Sequence, residues 1–285
     1  MQQIQWFPGH MAKAKREIQE RIKMVDISIQ IVDARAPYTS KNPMFDEVIG
    51  NTPQLIVLAK KDLADDAITK QWLHYYQDQG YPALCVNLKN FSEYNQIFQT
   101  CRNILQDKIN RERQRGLKSR AVRAMILGIP NVGKSTFINR LAKRKATTTG
   151  NRPGVTKAQQ IIRVANDFEL FDTPGVLWPK FKTKTEATNI ALLGSIKQQI
   201  LPLDEIFVYA LTYLQTEYPN RLENRYGIHL DLEQEDWITA FCQQFATKRN
   251  IKLIRGELDY DRIIMVVLQD IWDGKLGEIS WEKPA

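Results

Sequence analysis

The sequence predicts an α/β protein in which a domain with a mostly parallel sheet is followed by a small all-helical domain. Short apolar segments alternate with helical stretches through residue 182, which favours a parallel sheet covered by helices. A glycine-rich phosphate-binding pattern lies within this part. After Trp178-Pro179, apolar residues recur only at helical spacing. We therefore expect one domain over residues 1–182, a linker over 183–187 and a helical domain over 188–285.

Six short apolar runs are predicted to be strands because turn or helix residues bound each of them. They are residues 27–32, 55–58, 83–86, 124–127, 160–164 and 168–171. Helices are expected over residues 11–24, 67–79 and 92–113. In the second domain, apolar stripes around Phe207, Phe241 and Val267 indicate helices that face a core.

Composition favours a cytoplasmic protein, which we expect to be a monomer. The 285 residues are 43% hydrophobic and 25% charged, as in soluble globular proteins. The sequence has no run of eighteen apolar residues, so no membrane association is predicted. The N-terminus has no secretory apolar core, and the three cysteines lack the spacing of a metal site or a disulfide framework.

The strongest motif is a P-loop, in which Gly128 is followed at the required spacing by Gly133, Lys134 and Ser135. Glycines let backbone amides surround phosphate oxygens at the start of a helix. Lys134 is expected to bridge the β- and γ-phosphates, and Ser135 to bind Mg²⁺. The residues expected to contact the nucleotide here are Asn131, Val132, Gly133, Lys134, Ser135 and Thr136.

A second phosphate-sensing element is the DTPG segment, which ends the sixth predicted strand. Asp172 is expected to contact Mg²⁺ through water, and Gly175 to offer its amide to the γ-phosphate. Thr156 is a candidate second Mg²⁺ ligand, with residues 147–149 as alternatives.

A candidate base-recognition segment, VLAKKDL over residues 57–63, precedes the P-loop, the reverse of the usual order. Asp62 is expected to accept hydrogen bonds from guanine N1 and N2, and the stem of Lys60 to lie along the base, with Lys61 beside it. Sequence order can differ because the loops need only meet at the carboxyl edge of one sheet.

Several motifs together resemble the circularly permuted GTPases, over nearly the whole chain. They are WFPGHMAKA, VDARAP, AKKD, GIPNVGKST, RPGVTK, DTPGVLWPK and DGKLGEISWE. The resemblance implies a permuted GTPase domain that binds GTP or GDP with Mg²⁺. It also implies a helical RNA-interacting domain and a role in maturation of the large ribosomal subunit, with its precursor and rRNA as partners.

The sequence departs from the family pattern in the base-recognition loops. Ala59 replaces the usual asparagine, which ties the base loop to the phosphate loop; its loss should cost roughly 1–3 kcal/mol of nucleotide binding. Asn87 and Leu88 form the last expected base contact, with leucine where a small residue is usual.

Hydrolysis is expected to be slow because Val176 and Leu177 follow the switch glycine and cannot hold a water molecule. By resemblance, His10 is the candidate catalytic residue, and a capping or loop histidine is the alternative. A helix N-terminus favours neutral imidazole, which can position water. Asn131 is similar to the asparagine that binds K⁺ in potassium-stimulated GTPases, so K⁺ is a candidate cofactor.

Basic residues concentrate in the first domain. Residues 1–182 contain 29 Lys+Arg and 16 Asp+Glu, a net charge of +13, whereas residues 183–285 contain 11 Lys+Arg and 16 Asp+Glu, a net charge of −5. Residues 108–123 contain seven basic side chains and one acid, which predicts either RNA contact or a solvated helix face. A second basic helix comprises Lys13, Lys15, Arg16, Arg21 and Lys23.

The favoured function is a GTPase that assembles the large ribosomal subunit and is stimulated by that particle. The main alternative is an RNA-binding scaffold that uses GTP or GDP structurally with little hydrolysis. An ATP-using kinase is a third, weaker reading, and Asp62 and the DTPG segment speak against it. Relative affinity for GDP and ADP would separate the kinase from the other two.

Overall fold

The computed structural model describes residues 9–87, 93–118, 120–142, 160–165, 167–251 and 257–284. Within these ranges, six strands form one sheet in the order β3-β2-β1-β4-β6-β5. The strands are β1 (Ile27–Asp33), β2 (Gln54–Ala59), β3 (Ala83–Cys85), β4 (Val122–Leu127), β5 (Gln160–Ala165) and β6 (Phe168–Asp172). All six predicted strands are present, and each boundary differs from the prediction by at most two residues.

The helices of the first part cover the sheet and connect its strands. They are α1 (Gly9–Arg21), α2 (Pro37–Ser40), α3 (Pro43–Ile49), α4 (Asp66–Asp78), α5 (Glu93–Ile104), α6 (Gln106–Gln114) and α7 (Lys134–Leu141). Short 3-10 turns occupy Ile22–Met24 and Lys61–Leu63.

The expectation of one helix over residues 92–113 is wrong. The chain leaves helical geometry at Leu105, with φ −92° and ψ 4°, and this residue is only 2% exposed. On the two sides of the break, α5 buries Ile97 and Cys101, whereas α6 has no buried residue. Neither proline nor glycine marks the break, so periodicity alone does not reveal it.

The central strands are parallel, as predicted, and β5 alone runs antiparallel, against β6. Asp33 of β1 lies opposite Ala59 of β2, and Ile126 of β4 lies opposite Asp172 of β6. The loops that leave β1, β2, β4 and β6 therefore emerge at the same carboxyl edge of the sheet.

The second part is helical in the described residues. Its helices are α8 (Lys184–Leu192), α9 (Leu203–Glu217), α10 (Asn220–Tyr226), α11 (Trp237–Lys248) and α12 (Tyr260–Trp272), with a 3-10 turn at Gln198–Ile200. The aromatic rings of Phe207, Phe241 and Phe245 pack together in its core, 5.8–6.0 Å between successive centroids.

The residues expected to link the domains instead begin a helix. Thr183 caps α8 by accepting a hydrogen bond from the amide of Glu186, and Ala187 is already buried. One hydrophobic cluster continues from the sheet into the helices beyond it. The division at residues 183–187 stays a prediction. Among the described residues, no helix has the length and apolar character needed to cross a membrane.

Candidate nucleotide-binding site

The P-loop connects β4 to α7, as the sequence predicts. Gly128 passes so close to β1 that a Cβ there would lie 2.6 Å from the carbonyl oxygen of Ile31. Asn131 and Gly133 adopt left-handed φ values of 61° and 101°, and Gly133 is the N-cap of α7. Such a backbone path at a helix N-terminus is the arrangement in which successive amides can surround a phosphate group.

The DTPG segment lies directly against the P-loop. A Cβ on Gly175 would lie 2.7 Å from Cα of Pro130 and 3.0 Å from Nζ of Lys134, so only glycine fits this approach. The hydroxyl of Thr173 donates to the carbonyl of Ile126 at 2.6 Å and fixes the segment to β4. The predicted switch and phosphate loops therefore meet in space.

Lys134 of the P-loop and Asp172 of the DTPG segment are buried side chains of opposite charge. The Lys134 ammonium donates to the carbonyl of Ile129 at 2.8 Å. Burial lowers the pKa of Lys134 to about 8, although the charge of Asp172 opposes this. Burial raises the pKa of Asp172 to about 6, against the charge of Lys134 and the nearby amide of Thr173.

The Asp172 carboxylate fits a role in binding a cation. It is 1% exposed, and neither oxygen meets hydrogen-bond geometry with a partner among the described residues. A buried charged group without a partner is costly, and a hydrated Mg²⁺ would satisfy it. Ser135 lies in the first turn of α7 and can supply the hydroxyl ligand.

The AKKD segment leaves β2 at the same edge of the sheet. Ala59 is fully buried, and Lys60 has a left-handed backbone conformation, with φ 59° and ψ 36°. The next three residues, Lys61–Leu63, form a 3-10 turn that carries Asp62. This arrangement places the predicted base-recognition aspartate one turn beyond the strand.

Other predicted residues are only partly described. Asn87 lies just after β3, and its amide donates to Oε2 of Glu93 at 2.6 Å. Leu88 and Thr156 lie outside the described residues. His10 is the second residue of α1, but its side chain also lies outside what is described. The roles of these residues remain predictions.

A buried charge cluster beside the AKKD segment was not predicted as part of the site. Arg35 donates through Nε and Nη2 to both carboxylate oxygens of Asp33, at 2.9 Å each. Lys60 Nζ lies 2.9 Å from Oδ2 of the same carboxylate. The VDARAP motif contains this acid and arginine at i and i+2, but only the fold brings Lys60 to them.

The C-terminal segment, residues 276–284, is a second feature that sequence reasoning missed. The amide of Ile279 donates to the carbonyl of Leu63 at 2.9 Å, and that of Trp281 to the carbonyl of Arg35 at 2.6 Å. Glu282 accepts a hydrogen bond from the amide of Thr39 at 3.0 Å. The end of the chain thus packs beside the AKKD segment; the GEISWE motif was the available signal.

The turn after α8 also contacts the site. The Asn131 side-chain amide donates to the carbonyl of Gly194 at 3.3 Å. Trp272 of α12 supports α8 by donating to the carbonyl of Ala191 at 3.0 Å. A P-loop residue is therefore in direct contact with the helical part of the molecule.

This fold and site define a P-loop GTPase in which the AKKD segment precedes the phosphate loop, the class of circularly permuted GTPases. Residues 123–221 match the family model described as 50S ribosome-binding GTPase. The chain is 45% identical to ribosome biogenesis GTPase A of Bacillus licheniformis over 282 residues, covering 99% of this chain and 98% of that one. It is 46% identical to the protein of the same name from Priestia megaterium over 283 residues, covering 99% and 97%.

Solved structures agree with these relatives. YlqF from Thermotoga maritima bound to GNP is 27% identical, with a TM-score of 0.66 over 95% of this chain and 98% of that one. A GDP-bound YlqF structure is 26% identical, with a TM-score of 0.66 over 94% and 99%. The chain belongs to the ribosome biogenesis GTPase A family. It is accordingly a GTPase of ribosome biogenesis that binds guanine nucleotide.

Proposed function

We propose that this chain hydrolyses GTP slowly by itself and is stimulated by the large ribosomal subunit precursor during late maturation. The observation that carries the proposal is the environment of the switch. Val176 and Leu177 follow Gly175 directly, and both are fully buried. They offer no polar side chain to orient an attacking water, so the group that does so must come from elsewhere.

The site residues divide into three roles under this proposal. Lys134 and Gly175 bind the β- and γ-phosphates, while Ser135 and Asp172 hold Mg²⁺, the aspartate through water. Asp62 binds the guanine edge. The surroundings of Asp172 and Lys134 support this division: neither Asp172 oxygen has a described hydrogen-bond partner, which hydrated Mg²⁺ would supply, and burial lowers the pKa of Lys134, which a bound phosphate would oppose.

His10 is the proposed catalytic residue, acting from the N-terminal turn of α1. The same helix carries basic side chains, two of which already pair with acids: Lys13 with Glu17, and Lys15 with Glu47. Contact of this helix with rRNA would bring His10 to the γ-phosphate. RNA binding and activation would then be one event.

A second proposed RNA contact is the exposed part of the basic segment 108–123. Three of its side chains are held by acids, because Lys108 and Arg120 pair with Asp26 and Arg123 pairs with Glu169. The basic side chains that remain exposed without a described acidic partner are Arg111, Arg113, Arg115 and Lys118. These four are available for phosphate contacts.

Steady-state GTP turnover in potassium buffer, with and without purified large subunits, tests the proposal. We expect clear stimulation by the particle, and a loss on the order of 10²-fold in stimulated turnover for His10→Ala. His74→Ala is the matched control because His74 is exposed on α4. Stimulated turnover that survives in His10→Ala would contradict the catalytic assignment.

The alternative is a scaffold that holds nucleotide and RNA with little hydrolysis. Ala59 and the buried Val176 are the observations that favour it. Tight GDP binding without stimulation by the large subunit would support the scaffold over the activated GTPase.

A further inference from the structure

The loop after β2 is held by an ion pair with the neighbouring strand. Asp33 is fully buried at the end of β1, directly opposite Ala59 in the sheet register. Its carboxylate lies 2.9 Å from Nζ of Lys60, whose side chain is 20% exposed. The same carboxylate is oriented by the paired hydrogen bonds from Arg35, a geometry that fixes its plane.

The ion pair involves Lys60, the residue at which the chain turns away from β2. Lys60 adopts left-handed backbone angles, which are unfavourable for a residue with a side chain. This conformation directs the chain into the turn Lys61–Leu63, and so determines where Asp62 lies. An anchor on Lys60 therefore also positions Asp62.

The usual anchor of such a loop is missing. The family resemblance implies an asparagine that ties the base loop to the phosphate loop, but Ala59 has no polar side chain. Its carbonyl still accepts from the amide of Ala34 at 2.8 Å, which is strand pairing rather than a tie to the loop. Lys60 is the next residue, and Asp33 supplies it with a fixed partner.

The electrostatics of the cluster favour the ionised form of Asp33. Burial acts to raise the pKa of Asp33, but the charges of Arg35 and Lys60 outweigh it and hold that pKa well below its usual range. Burial lowers the pKa of Lys60, with Arg35 adding to this effect and Asp33 opposing it. Two cations thus share one carboxylate in a site of low exposure.

We propose that Asp33 is the positioning residue for guanine selection: its ion pair with Lys60 fixes the turn that carries Asp62, beside Ala59, which has no polar side chain to hold that turn. Asp33 need not touch the nucleotide, because it acts through Lys60. The inference rests on the proposed function in one respect, namely that Asp62 binds the guanine edge.

The test compares the dissociation constants for GDP and inosine diphosphate (IDP), which lacks the 2-amino group that Asp62 would bind. We expect GDP to bind the unmodified protein about tenfold or more tightly than IDP. Lys60→Met keeps the apolar stem and removes the ammonium, so the ratio should fall to within about threefold of unity while IDP affinity changes less. A general loss of structure would instead weaken both nucleotides alike.

A second variant keeps the test decisive if Lys60→Met does not fold. Asp33→Asn preserves size and can still accept from Arg35, and we expect the same fall in the GDP/IDP ratio. The double variant should show no further fall, because both changes break one interaction. Lys70→Met is the control, since it removes an exposed ion pair with Asp66 on α4.

Asp62→Ala separates the inference from the function on which it rests. If Asp62→Ala abolishes the GDP preference but Lys60→Met and Asp33→Asn both retain it, Asp33 does not position the loop and the inference is wrong. If Asp62→Ala itself retains the full GDP preference, Asp62 does not read the base, and both the proposed base contact and the inference fail.

Discussion

Asp172 works against the stability of the nucleotide-free fold. Its folded-state pKa is raised from 3.8 to about 6, so the unfolded state ionises at lower pH than the folded state. The contribution of protonated Asp172 to the free energy of unfolding is therefore complete below pH 3.8, and it is lost as the pH rises through the folded-state pKa. At neutral pH the ionised carboxylate costs on the order of 2–3 kcal/mol in the nucleotide-free protein.

Asp172→Asn should therefore stabilise the nucleotide-free protein at neutral pH. We expect the gain in unfolding free energy to grow between about pH 4 and pH 6 and to level off above that, as measured by urea unfolding. Asp167→Asn, which alters an exposed carboxylate paired with Arg102, serves as the control. A gain that is independent of pH would show that ionisation of Asp172 is not its cause.

The C-terminal segment is the element whose position the sequence least reveals. Trp281 is 2% exposed, and the centroid of its ring lies 5.3 Å from that of Tyr213 on α9. Its backbone amide donates a hydrogen bond to the carbonyl oxygen of Arg35, beside the sheet. Trp281→Ala should lower the unfolding free energy by about 3–5 kcal/mol, because it removes a large buried ring between two parts of the molecule. Chemical denaturation measures this loss.

Trp237→Ala is a suitable comparison because Trp237 is only half-buried, at the start of α11. Its effect should be clearly smaller. Equal losses of unfolding free energy for the two variants would contradict the expectation that the buried Trp281 ring stabilises the contact between these two parts of the molecule.

Predictability differs among the elements for physical reasons. Strand β2 was predictable because a buried central strand favours a continuous apolar run, and β1 because isoleucines recur at every second position, although Ser28 and Gln30 between them are buried too. The P-loop and DTPG segments were predictable because phosphate binding demands particular residues at fixed spacing. The break at Leu105 was not, since neither proline nor glycine marks it. The docking of residues 276–284 was not, since it depends on contacts with segments that are distant in sequence. Likewise, Asp33 and Lys60 meet only through strand pairing.

Across the whole molecule, two connections join the phosphate site to the helical part. The chain runs from Gly175 through the buried residues Val176 and Leu177 into α8. The turn after α8 then returns to the P-loop, where the Gly194 carbonyl accepts from Asn131. A γ-phosphate that moved Gly175 would thus displace the start of α8, while the hydrogen bond from Asn131 to Gly194 fixes the turn at its end.

We expect this arrangement to give different small-angle scattering curves for the GDP and GTP-analogue forms. Gly194→Ala should reduce the difference, because Gly194 has φ +72° and a Cβ there would lie 3.1 Å from the Asn131 amide nitrogen. Gly116→Ala is the matched control: it has the same φ of +72°, but nothing within 4 Å of the added Cβ, so it carries the backbone strain without the contact. Identical curves for the two nucleotide forms of the unmodified protein would exclude coupling through these connections. If Gly194→Ala leaves the scattering difference between the two nucleotide forms unchanged, the coupling runs only through the connection from Gly175 to α8.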